Sequence, residues 1–381
     1  MKQQANRIEA LDAFRGIAST LIMLTHFILY VPEVFQVENL SLIYSWLSWK
    51  LPYFFVLSGF VLTLSYMRSR ERDAASGGLG GSHTYRNFII NRIFRIYPLF
   101  MLTTIIVFLT KVAFGAGCDI EGASRFFNIT WRMSPTLLEL VHSLTLVGLS
   151  DTWAYNGPAW TLVFEMRYAI LFPLFLYLFR KSWLSILLFA ALSFVAGNIS
   201  ATLERVDLFY TPDYQLSNLC SMANFLMYYA SGIALALNRE RLSNLYKSLS
   251  KVGVAAFVAV SIIFMLSPKW IAFVTPAAVS SFASDFVIMV GVVMWVVVLT
   301  NNKSIANIFT HNALVTLGRS SFSIYMWHTP IFILNYMLLR EYLSIWIIIA
   351  ISLVATLIVA RLSFRFIEQP CIALSHRITK K

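Results

Sequence analysis

Of the 381 residues, 58% are hydrophobic and 13% are charged, the latter about half the charged share of an ordinary soluble domain. A soluble core of this length could not hide so much apolar surface, and a chain this rich in Leu, Ile, Val and Phe is not disordered. The three cysteines, Cys118, Cys220 and Cys371, form neither a disulfide framework nor a metal-ligand spacing, and no metal site is expected. The composition points to an all-α, polytopic integral membrane protein. A helix needs about 20 apolar residues to cross the hydrocarbon layer. Ten stretches approach that length: 11–31, 43–66, 96–115, 158–179, 183–200, 220–237, 252–267, 284–300, 316–338 and 343–363.

The net charge of +12 resembles a nucleic-acid signature until the cations are placed. With the N-terminus inside, segments 1–10, 67–95, 180–182, 238–251, 301–315 and 361–381 carry 20 of the 30 Lys and Arg. Cations gather in cytoplasmic loops, so both termini are predicted to be cytoplasmic. The charge then serves topology, with attraction to anionic membrane lipid as a by-product, and no nucleic-acid partner is expected. The chain reads as one transmembrane domain, 1–381, with a cytoplasmic loop at about 67–95 and a long periplasmic loop at about 116–157. Within the latter, Thr136 to Gly148 has the pattern of an interfacial or partly buried helix. The Gly-rich run at 77–81 has neither a preceding strand nor a following Lys-Ser/Thr, and reads as linker.

Ionisable groups inside spans are costly and face cavities or partners. In the first span, ten residues separate Arg15 from His26. Eleven steps of a helix nearly complete three turns, so both side chains share one face, about 16 Å apart along the axis. An inside anchor and a satisfied core histidine would explain the pair equally well. Ser58-Gly59 in the second span permits close helix packing or a bend. Arg92 and Arg95 lie three apart on one face, suited to a phosphate ligand or simply to anchoring at the inner surface. Asn156-Gly157-Pro158 supplies a turn and a helix start. Glu165 follows two turns later and needs a partner, with Arg15 and His26 as candidates. Arg167, two positions on, cannot be that partner on a regular helix. The ninth span is the most polar, with Ser321, Tyr325 and His328 on one face. The segment Arg365 to Pro370 reads as a helix end broken by proline and tied by an ion pair.

In their order, these motifs resemble the acyltransferase 3 family of integral membrane acyltransferases. The resemblance runs from Leu11-Asp12-Ala13-Phe14-Arg15-Gly16, with Arg15-X10-His26, through Phe54 to Phe60, Arg92-X2-Arg95-Ile96-Tyr97-Pro98, Trp160-Thr161-Leu162 followed by Glu165, and Ser323 to His328, to Phe366-Ile367-Glu368-Gln369-Pro370. The sequence departs from the usual pattern at Ala13 and Phe14, and at Phe164, where many members carry a polar group.

The resemblance implies O-acyl transfer, most often of acetyl, from cytoplasmic acyl-CoA to a hydroxyl of a carbohydrate or glycolipid such as lipopolysaccharide or exopolysaccharide, in a bacterial inner membrane. His26 would be general base or acyl carrier. Arg15 would hold donor phosphate or stabilise oxyanion charge. Arg92 and Arg95 would clamp CoA, and Glu165 would orient His26 or Arg15. Ser58, Tyr325, His328 and Trp153 are candidate substrate contacts. Trp131, Trp153 and Tyr155 offer ring faces for a sugar. The chain leaves no room for the extracytoplasmic hydrolase-like domain fused to some members. A glycan transporter or flippase is the competing expectation. Oligomeric state is not legible.

Overall fold

The computed structural model describes residues 2–32, 47–75, 81–146, 155–181, 188–189, 191–193, 195–196, 214–267 and 277–379. Among these residues no strand occurs. The helices are α1 (Lys2–Leu29), α2 (Lys50–Ala75), α3 (Gly81–Ala113), α4 (Arg125–Trp131), α5 (Leu137–Ser143), α6 (Trp160–Lys181), α7 (Tyr214–Leu237), α8 (Arg239–Lys247), α9 (Lys251–Met265), α10 (Ala277–Asn301), α11 (Lys303–Phe309), α12 (Asn312–Arg319), α13 (Ser321–Leu339), α14 (Ile345–Ser363) and α15 (Gln369–Ile378). A 3₁₀ turn (Gly157–Ala159) leads into α6, and a π turn (Phe364–Glu368) joins α14 to α15.

Among the described residues, six segments are long and apolar enough to cross a membrane: Glu9–Leu29, Lys50–Glu71, Thr84–Ala113, Gly157–Arg180, Ser284–Asn301 and Ile345–Ile378. Two shorter apolar helices, Met222–Leu237 and Lys251–Met265, coincide with the predicted spans at 220–237 and 252–267. α13 occupies the ninth predicted span but is not among the six, because its Ser, His and Asn residues lower its hydropathy. The predicted span at 183–200 lies largely outside the described residues. The protein is therefore a helical multi-pass membrane protein.

Two boundaries differ from expectation. The cytoplasmic loop predicted at 67–95 is helical on both flanks, since α2 runs to Ala75 and α3 starts at Gly81. Arg and Lys are good helix formers, so polar sequence extends a helix past the apolar stretch that starts it. The predicted helix end at Pro370 is also overturned, because the helix continues through the π turn to Ile378. Proline lacks an N–H and crowds the carbonyl four residues back. The Gln369 amide bonds to the Phe364 carbonyl, five residues back, and this wider turn carries the chain past Pro370.

The chain divides into two compact units. The first comprises Met1–Ala18, Ser41–Thr84 and Leu171–Val315. Its axis is the pairing of α2 with α7, where glycines let the backbones meet. A Cβ on Gly59 would lie 2.2 Å from the Tyr229 carbonyl oxygen, and one on Gly232 would lie 2.1 Å from that of Val56. Gly59 thus serves close helix packing. Gly291 does the same for α10 against α9, with the Met265 nitrogen 2.7 Å from an added Cβ. Around Phe14 gather the rings of Trp49, Tyr53, Trp295 and Phe309, with centroids 4.9 to 5.6 Å away. The Tyr53 hydroxyl donates to the Leu11 carbonyl at 3.0 Å, which ties α2 to the start of α1.

The second unit comprises Ser19–Leu40, Tyr85–Ile170 and Thr316–Lys381. α13 is its centre, and 13 of its 19 residues are buried. α14 packs along it: the Trp327 indole donates to Ser363 Oγ at 2.7 Å, and the Asn335 amide donates to Ser352 Oγ at 3.0 Å. α4 is a short helix capped by Ser124, whose hydroxyl accepts from the Phe127 amide. It brings Phe127 and Trp131 onto Tyr336 and the rest of the core.

Candidate active site

The site is built on α13 because its polar side chains are buried and so must be partnered. His328 is fully buried. Its Nε2 lies 2.8 Å from Nδ1 of His26, on the C-terminal half of α1, and its Nδ1 lies 3.2 Å from the Ile324 carbonyl. His26 is half-buried. The Phe126 ring of α4 covers it, with centroids 5.7 Å apart. Beside the pair runs an aromatic row. Tyr30 stacks on Phe332 at 4.0 Å, Phe332 on Tyr336 at 5.9 Å, and Tyr336 meets Phe127 at 4.6 Å.

Pro330 opens the backbone of α13. The Met326 carbonyl would ordinarily accept from the amide four residues on, and proline has none. The Asn156 amide fills the gap at 3.2 Å and also reaches Thr103 Oγ1 at 3.3 Å. From the residue before Met326, the Tyr325 hydroxyl lies 3.0 Å from both the Pro158 carbonyl and Thr161 Oγ1. The Asn-Gly-Pro segment that opens α6 therefore also clamps α13. Ser323 donates to the buried Glu368 of the π turn.

Glu165 is paired with neither Arg15 nor His26, the expected candidates. It forms an ion pair with Arg92 of α3. Arg92 is buried and Arg95 is exposed, so the two guanidinium groups face different surroundings. In the first unit, Arg15 pairs with Asp12 one turn earlier, at 3.1 Å, and Ser58 is half-buried on α2. α1 itself is unbroken from Lys2 to Leu29, so it carries both Arg15 and His26. Trp153 lies outside the described residues.

The expectation of stacking faces on the long loop needs correction. Trp131 and Tyr155 are 2% and 1% exposed. The Tyr155 hydroxyl donates to the Thr136 carbonyl at 3.1 Å, and Lys111 lies over its ring. Burial, with Glu139 nearby, pushes the Tyr155 phenol above its ordinary range. The loop instead forms an open cleft of about 590 Å³, lined by Trp131, Tyr336, Asp119, Glu121, Arg340 and Glu341 among others. The amphipathic stretch contributes α5, capped by Thr136, with Leu137, Leu138 and Val141 exposed. Among the described residues no group of three His, Cys, Asp or Glu is placed to hold a metal ion.

Sequence reasoning missed Phe126, Asn156 as the partner of Met326, and the contact between Ser323 and Glu368. Only Asn156 left a signal, because a proline in a polar span implies a carbonyl in need of a donor.

A family model described as an acyltransferase domain matches residues 8–364, a range that contains both histidines and the Arg92–Glu165 pair. The chain belongs to the acyltransferase 3 family. It is 27% identical over 330 residues to the peptidoglycan O-acetyltransferase OatA of Listeria monocytogenes, covering 83% of this chain and 50% of that protein. It is 23% identical over 348 residues to the O-acetyltransferase OatA of Staphylococcus aureus, covering 83% and 51%. The chain thus spans about half the length of the curated relatives it matches. No solved structure matches.

Proposed function

We propose that this acyltransferase 3 protein is a membrane O-acetyltransferase. It moves acetyl from acyl-CoA to a hydroxyl of an envelope polysaccharide, and a peptidoglycan-type sugar is the first acceptor to test. Family membership and the two OatA relatives support the reaction class. The observation that carries the site is the half-buried His26 with its ring nitrogen 2.8 Å from His328. An imidazole covered by the Phe126 ring and bonded to a second imidazole suits general-base work on a sugar hydroxyl.

In this reading the hydroxyl loses its proton to His26 as its oxygen attacks the thioester carbonyl. CoA thiolate leaves and takes the proton back. Arg95, exposed on α3, meets a CoA phosphate, with Arg92 three residues away held by Glu165. The cleft beside Trp131 and Tyr336 receives the glycan, its carboxylates and Arg340 bonding sugar hydroxyls. This reading puts both termini in the cytoplasm, which the excess of cations in the predicted inner loops supports, and the protein in the inner membrane.

The test uses the purified full chain, acetyl-CoA and a soluble peptidoglycan fragment. Mass spectrometry is expected to find an acetyl ester on the fragment with wild type and none with His26→Ala. A folded His26→Ala chain of full activity would sink the reading. Glycan movement across vesicles without any ester would favour the transporter instead.

A further inference from the structure

The contacts of His328 with Ile324 and His26 bear on where the protons of the two rings sit. A carbonyl oxygen only accepts, so the contact of His328 Nδ1 with Ile324 O at 3.2 Å places a proton on that nitrogen. A neutral imidazole carries one N–H, so His328 Nε2 is then an acceptor. The nitrogen facing it at 2.8 Å, His26 Nδ1, must be the donor. The unprotonated nitrogen of neutral His26 is therefore Nε2.

We propose that His328 is the positioning residue for His26, filling the place a carboxylate takes in a Ser-His-Asp triad. The chain Ile324 carbonyl, His328, His26 holds His26 in the Nδ1–H tautomer and presents Nε2 as the base. The proposal rests on the O-acetyltransferase reading above. Glu165, the carboxylate expected to orient His26, is bonded to Arg92 instead, so orientation falls to a neutral ring.

The step balances as follows. The acceptor O–H proton moves to His26 Nε2 while its oxygen forms a bond to the acetyl carbonyl carbon. His26 becomes an imidazolium whose Nδ1–H is shared with His328 Nε2, which spreads the positive charge over two rings. The tetrahedral intermediate collapses, the C–S bond breaks, and the Nε2 proton leaves with the thiolate. Both histidines return to their starting tautomers. A neutral partner adds no buried carboxylate to the membrane interior, where an unpaired charge is expensive. It gains less imidazolium stabilisation than a carboxylate would give.

The test has two arms on the full chain. In the first, ¹⁵N-histidine NMR reads the tautomer of His26, its signals assigned by their loss in His26→Gln. Wild type is expected to show Nδ1–H, and His328→Leu the Nε2–H form that free imidazoles prefer. Nε2–H in wild type, or no change in His328→Leu, overturns the proposal.

In the second arm, acetyl-CoA and a soluble peptidoglycan fragment are the substrates. His328→Gln places an amide oxygen where Nε2 was and still accepts from His26. His328→Asn reaches Ile324 but not His26. Asn and Leu are expected to lower kcat by about a hundredfold, the scale of a general-base contribution, with KM little changed. Gln is expected to recover about a tenth of wild-type kcat, since misorienting the base, not losing it, is the defect. Equal loss in Gln and Asn, or a loss confined to KM, indicates a packing or binding role and overturns the proposal. If wild type transfers no acetyl, the O-acetyltransferase reading fails, and the tautomer arm alone decides the assignment of His328.

Discussion

Arg92 of α3 and Glu165 of α6 form an ion pair across 73 residues of sequence. Arg92 is 8% exposed and Glu165 19%, so each charge depends on the other for solvation. Removing one partner of a buried pair leaves an uncompensated charge and costs about 3–5 kcal/mol. Arg92→Ala and Glu165→Ala are each expected to lower the melting temperature of detergent-solubilised protein sharply. Arg92→Ala/Glu165→Ala together should be less destabilised than the sum of the singles. Strict additivity in that cycle would show that the two side chains do not support each other.

The bond from Asn156 to the Met326 carbonyl exists because Pro330 removed the amide that would have served it. Asn156→Ala is expected to destabilise the fold by about 1–3 kcal/mol, the penalty for a buried acceptor left unmade. Pro330→Ala restores a backbone N–H four residues beyond Met326, so Asn156→Ala should do less harm in that background. Thermal melts of the four proteins measure this. An equal loss in both backgrounds would mean that the Asn156 contact to Thr103, rather than to Met326, is the one that matters.

Gly59 and Gly232 meet backbone, not flexible side chain, on the facing helix. A methyl at either position must push α2 and α7 apart, and overpacking of this kind costs about 1–3 kcal/mol, occasionally more. Gly59→Ala and Gly232→Ala should each lower the melting temperature. The double variant should fall short of the sum, because helices already separated by one methyl accommodate the second. Wild-type melting in either single variant would contradict the contact.

The helical class and most spans could be read from apolar runs, since length and hydropathy are local properties. The Arg15-X10-His26 register was equally readable, because a single helix fixes angles along itself. Partner choice was not. Glu165 visibly needs a cation, but the sequence holds no information on the register of α3 against α6, and spacing alone groups Arg92 with Arg95 instead. His328 stood out as polar and near mid-span, yet nothing local tied it to a residue 302 positions earlier. α4 escaped notice because a seven-residue helix has too few turns to show a period, and Ser124 was its only start signal. Pro370 misled in the opposite direction. The rule that proline ends helices assumes an α-helical turn, and the π turn before it withdraws that assumption.

That π turn also makes chain length a functional variable. Each residue added to a regular helix turns everything beyond it by about 100°, and the π turn already absorbs one residue more than an α turn holds. The Asn87 amide on α3 meets the Thr379 carbonyl at 3.2 Å, at the far end of α15, and Glu368 meets Ser323 from within the turn. Deleting one residue between Ser363 and Glu368 would keep the composition and apolar character of the segment. It would nonetheless close the five-residue turn to an ordinary α-helical one and bring the Pro370 ring against the carbonyl four residues before it. This stretch should therefore tolerate many substitutions and very few changes of length.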